Sequence, residues 1–105
     1  MAYPSKYTSA QVEILGVPVT PAKQLVAGSA SSNTALTTTV QRISMRASGA
    51  DIRFSIGTGT QTANGNTSPF IANGERLDFA VPEGANIAVI RDGTVNGTLE
   101  LTELI

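Results

Sequence analysis

From residue 35 onward the apolar residues of this chain recur at alternate positions in short runs, and Gly, Pro, Asn or Asp interrupts each run after a few residues. This alternation has the period of a half-buried strand, because successive side chains of an extended chain point to opposite faces. In residues 35–48, Leu36, Thr38 and Val40 share one parity and Thr37, Thr39 and Gln41 the other; the apolar positions then move to Ile43 and Met45. An extra residue within a strand changes parity in this way, so the pattern predicts a β-bulge near Gln41 and Arg42. Ile52, Phe54 and Ile56 alternate with Arg53 and Ser55, and Leu77, Phe79 and Val81 with Arg76 and Asp78. Residues 85–91 are apolar on both faces, Ile87 and Val89 against Ala88 and Ile90, as expected of a central strand covered on both sides or facing a partner. Leu99 and Leu101 alternate with Glu100 and Thr102 in a final strand.

The interruptions carry turn chemistry. Residues 48–51 (Ser-Gly-Ala-Asp) and Pro82-Glu83-Gly84 read as turns. Asn73-Gly74 is a two-residue hairpin signal, and Asp92-Gly93 with Asn96-Gly97 closes a second hairpin. Residues 57–68 hold no apolar side chain except Ala63, so they are expected to form an exposed loop before a short strand at 69–72. The first third is less patterned. Residues 20–34 read as a loop with at most one turn of helix. Pro18, which has no N–H for a sheet ladder, limits residues 11–19 to an edge strand. Residues 1–10 read as an extended arm.

Six or seven short strands with regularly spaced turns predict an all-β fold, a small antiparallel β-sandwich or barrel of jelly-roll-like form with an extended N-terminal arm. The expected division is an arm and edge segment over 1–34 and a sandwich domain over 35–105. The expected inward residues include Leu36, Ile43, Met45, Ile52, Phe54, Phe70, Phe79, Ile87, Leu99 and Leu101. The N-terminal third adds little core of its own, so docking on neighbours or on a larger scaffold is expected.

The chain has no Cys, His or Trp. That excludes thiolate and imidazole metal sites, nucleophiles activated by His, and disulfides. The eight carboxylates read as solvated strand-face and turn groups. Glu75 and Asp78 have opposite strand parity, as do Glu100 and Glu103, which does not suit a paired acid and base. No enzyme activity, cofactor or metal is therefore expected. Gly57-Thr58-Gly59 lacks the Lys of a phosphate loop. The seven Lys and Arg are spread singly along the sequence against eight acidic residues, with no basic run for nucleic acid. No apolar run is long enough for a membrane span, and the first residues lack the apolar region of a signal peptide, so folding in the cytoplasm where the chain is made is expected. Charged residues are only 14% of the chain, while Thr and Ser number 13 and 9. Such a surface suits packing against protein, where long charged side chains would have to be desolvated.

Residues 42–105 resemble a group of small structural proteins of tailed bacteriophages. The matching features are the strand DIRFSIGTG running into a polar loop, followed by PFIANGERLDFAVPEGANIAVIRDGTVNGTLELTEL. The resemblance implies a virion component, a capsid decoration (cement) protein on the capsid surface, made in the bacterial host. It implies the major capsid protein as partner and a homo-oligomer, with a trimer favoured, no nucleic acid and no membrane. Tyr3 and Tyr7 of the arm, Val12, Ile14 and Val17 of the edge segment, and Ile87 and Ile90 are the candidate capsid or subunit contacts. Two alternatives remain at this point: a head–tail neck or tail- or fibre-associated virion protein, and a receptor- or glycan-binding β module that uses loop 57–68. That loop carries no aromatic to stack on a sugar.

Overall fold

The computed structural model describes residues 17–105. Eight strands follow in order: β1 (Lys23–Ala27), β2 (Ser32–Ala35), β3 (Arg42–Ser48), β4 (Ile52–Thr58), β5 (Phe70–Ile71), β6 (Arg76–Ala80), β7 (Ala85–Arg91) and β8 (Gly97–Leu104). They form two four-stranded sheets, β1-β8-β3-β6 and β2-β7-β4-β5, and every strand pair is antiparallel. The pairings β1 with β8, β2 with β7, β3 with β6 and β4 with β5 are nested, the strand order of a jelly roll. The all-β sandwich expected from the sequence is thus the observed fold.

The inward residues of both sheets make one core. Ile43, Met45, Leu99 and Leu101 come from the first sheet, and Ile52, Ile71, Ile87 and Val89 from the second; all are fully buried. Phe54 adds a tilted ring contact to Phe79, with centroids 5.7 Å apart. Phe70 does not join them. It pairs with Arg53 on the outer face, and Ile71, opposite Ile52, takes the inward position instead. In a two-residue strand one step of parity decides which residue is buried.

Nesting corrects the turn assignments. The Asn73-Gly74 turn closes as expected, with Glu75 N–H donating to Ala72 O and Gly74 at φ 86°. It links β5 in one sheet to β6 in the other, however, so it is an arch and not a hairpin. The same holds for the segment between β7 and β8, which sequence reading made a hairpin. Among the eight strands, only β4 and β5 are consecutive in the chain and paired in one sheet.

The expected bulge at Gln41 and Arg42 is also such a passage. The chain leaves the second sheet after Ala35, turns at Thr37 with Val40 N–H donating to Thr37 O, and enters the first sheet at Arg42. Leu36, Val40 and Ile43 are all buried. The parity changes because the inward direction reverses when a chain crosses from one layer to the facing one.

Residues 20–34 are not a loop but contain β1 and most of β2. β1 pairs along β8 from Lys23 with Leu101 to Ala27 with Gly97. Just before it, Val17 and Val19 N–H donate to Ile105 O and Glu103 O, and Pro18, with no N–H, bridges Leu104 between them. Strand propensity depends on packing more than on residue type, so the partner on β8 decides this segment.

Candidate interaction surface

The contact residues expected from the sequence fall in different places. Tyr3, Tyr7, Val12 and Ile14 lie outside the described residues. Val17 is 67% exposed beside the end of β8. Ile87 is fully buried between the sheets, which leaves it no surface for a partner. Ile90 faces the other way, half-buried on the outer side of the second sheet opposite Arg53.

That outer side is covered in part by the chain itself. Asn33, Ala88 and Ser55 lie abreast on β2, β7 and β4. Gln61 spans them: its N–H donates to Asn33 Oδ1 at 2.8 Å, and its Oε1 accepts from Ser55 Oγ at 2.8 Å. Ala63 N–H donates to Ser31 Oγ, also at 2.8 Å, and Ala63 is buried. Ala88 beneath the loop is fully buried although it points away from the core. Gly57 leaves room for this arrangement, since a Cβ there would lie 2.9 Å from Gln61 Nε2. Loop 57–68 is therefore pinned across its own sheet at Gln61 and Ala63, while Thr58, Gly59 and Thr60 before these points and Thr62, Asn64, Asn66 and Thr67 around and after them stay exposed.

Among the described residues no such loop covers the outer side of the first sheet, and the topology gathers onto it residues that are far apart in sequence. Glu100, Arg46 and Arg76 lie abreast on β8, β3 and β6; Thr102, Ser44 and Asp78 form the next row, and Leu104, Arg42 and Ala80 the third. Arg42, Arg46 and Arg76, single in the sequence, thus share one face. Arg76 Nη1 donates to Ser44 Oγ at 3.1 Å. The side chains of Arg46 and Asp78 have no hydrogen-bond or ion-pair partner among the described residues. Arg53 and Arg91 turn elsewhere, Arg53 to Asp92 at 2.7 Å and Arg91 to Asn96 Oδ1 at 2.7 Å.

One carboxylate departs from the solvated reading. Glu103 is 2% exposed and has the inward parity of Leu99 and Leu101. Its Oε2 accepts from Thr37 N–H at 2.7 Å, its Oε1 from Thr37 Oγ1 at 3.0 Å, and Lys23 Nζ lies 3.3 Å from Oε1. A buried carboxylate needs such partners to offset lost hydration. The group ties the passage between β2 and β3 and the start of β1 to the end of β8. Thr37 is 66 residues away, so no local pattern reveals the contact.

At the opposite end, the turns before β4, β6 and β8 border an open cleft of about 330 Å³ lined by Asp51, Asn73, Asp92 and Val95, among others. Its acids are engaged in the turns: Asp51 Oδ1 accepts from Asn73 N–H at 2.8 Å, and Asp92 Oδ1 from Arg53 Nε. Among the described residues no three acidic side chains cluster as a cation site would require.

No known family, curated protein or solved structure matches this chain. The surfaces themselves are what bears on function. Val17, Val26 and Ile105, 67%, 62% and 58% exposed, lie along the β1–β8 side of the first sheet and its end, and Val95 is exposed at the cleft. Sequence reading named Val17 but missed Val26, because β1 itself was not legible.

Proposed function

We propose that this chain is a virion structural protein that decorates a phage capsid and stabilises the assembled lattice. The observation that carries the reading is the nested eight-strand order, an arrangement found in viral capsid domains as well as in lectin domains and cupins. A fold alone does not carry a function, so other features must agree with it. Three do: few charges, exposed apolar side chains at Val17 and Ile105 by one end of β8 and at Val26 near the other, and the resemblance read across 42–105. The lectin reading has less support, because the loop holds no aromatic to stack on a sugar and its Gln61 side chain is already bonded to Ser55.

The mechanism is passive. A protein that binds the assembled lattice and not the free subunits adds its binding free energy to the assembled state alone. The test is cosedimentation of the purified chain with undecorated shells of the phage that encodes it, beside unassembled capsid protein. Pelleting with shells and no association with free subunits is the expected result. No association with shells, or equal association with free subunits, overturns the proposal. Copy number in purified particles then separates decoration from a neck position, because a decoration protein approaches the copy number of the capsid protein itself.

A further inference from the structure

The exposed edge of β6 has a self-complementary pattern. Among the described strands β6 pairs only with β3, and it lies at the edge of its sheet. Ala47 N–H donates to Glu75 O and Val81 N–H to Gln41 O, so the odd positions of this ladder are the bonded ones. The N–H and C=O groups of Arg76, Asp78 and Ala80 therefore point away from β3, and no backbone partner meets them among the described residues. Phe79 on the inner side of the same edge is 36% exposed, and Leu77 is half-buried.

We infer that a second copy of this chain occupies this edge, with the two β6 strands antiparallel about a two-fold axis at Leu77. In this register Arg76 of each copy lies opposite Asp78 of the other, in a pair whose backbone groups both face the partner. Leu77 meets Leu77, and Phe79 approaches the other copy's Leu77 diagonally. Charge selects the register. An axis at Asp78 sets two carboxylates against each other, and an axis at Phe79 places Arg76 opposite Pro82. Within one chain Arg46 and Arg76 lie directly opposite each other, an unfavourable like-charge pair, and Asp78 has no partner among the described residues. The second copy supplies the counter-charge that each lacks. Charges on an edge strand ordinarily discourage pairing, and a single sign would do so. Here the alternating signs permit one register and oppose the others. The contact is two-fold, so it gives a dimer where the phage resemblance implies a trimer, and it does not depend on the capsid reading.

Sedimentation equilibrium of the purified chain over a range of concentrations tests the inference. The expected result is a monomer–dimer equilibrium that weakens with added salt. Arg76→Asp and Asp78→Arg should each raise the dissociation constant at least about tenfold, since each turns two opposite-charge pairs into like-charge pairs. Mixed together, the two variants should form a heterodimer, because the first carries an acid at both positions of the pair and the second an arginine at both. Recovery on mixing also shows that both variants are folded. A wild type that stays monomeric at every concentration, a trimer, or failure of the mixture to recover association would each overturn the inference. Capsid cosedimentation is read separately, so either proposal can fail without the other.

Discussion

The two sheets of this sandwich treat their outer faces differently. The second sheet has small or apolar residues at its centre, Ala88 and Ile90 on β7 beside Ser55, and loop 57–68 lies across part of it. The first sheet has Arg42, Arg46, Arg76, Asp78 and Glu100 on its outer face, and no loop of the described chain crosses it. A polar face can remain in water, whereas an apolar one needs a cover. Among the described residues the difference therefore sets a face partly covered by its own loop against a face that no described loop covers.

The largest expected effect concerns what the two sheets share. Ile87→Ala opens a cavity in the common core and should lower unfolding free energy by about 2–5 kcal/mol in denaturant titration. A loss well below that range would mean that the sheets do not meet there as described. Next comes Glu103→Ala, which leaves the Thr37 N–H without its partner and Lys23 without its counter-charge. About 1–3 kcal/mol is expected, while Glu103→Gln, which keeps an acceptor, should lose less. Equal losses for the two substitutions would show that the acceptor geometry is unimportant.

The outer faces are compared directly by adding bulk to each. Ala88→Leu must displace the pinned loop and should cost about 1–3 kcal/mol. Ala80→Leu, on the open face of the first sheet, should change stability by no more than about 0.5 kcal/mol. Similar values at the two positions would remove the distinction between a covered and an open face. The smallest effect is local. Gln61→Ala keeps the backbone bond to Asn33 but removes the side-chain bonds to Ser55 Oγ and to the Thr58 and Gly59 carbonyls, and should cost about 1 kcal/mol, with faster amide hydrogen exchange in residues 59–68 and little change in β3 or β8.

How far the sequence was legible varies strand by strand. β3, β4 and β8 alternate clearly because their inner residues are large and apolar, as at Ile43, Ile52 and Leu99, and β7 was legible as a strand apolar on both faces. β2, with the sequence SNTA, has no large apolar residue, and its identity comes from pairing with β7. The turns at 48–51, 73–74 and 82–84 were legible as turns, since their glycines take left-handed backbone angles at Gly49, Gly74 and Gly84. Their partners were not, because a tight turn has the same local chemistry whether the next strand pairs beside the last or crosses to the facing sheet. The interaction surface was less legible than the fold. Arg42, Arg46 and Arg76 look isolated until β3 and β6 are aligned, and Glu103 looks solvated until Thr37 closes on it.

The sequence by itself thus determined the class of fold, the positions of most turns and the inward residues of the long strands. These depend on side-chain period and on backbone angles available to Gly, Asn and Pro, which are local properties. The tertiary structure alone decided the nested strand order, the burial of Glu103, the covering of Ala88 by Gln61 and the charge rows of the first sheet. Each of these depends on which distant segments lie abreast, and in antiparallel sheets that follows from the packing of two layers around one core.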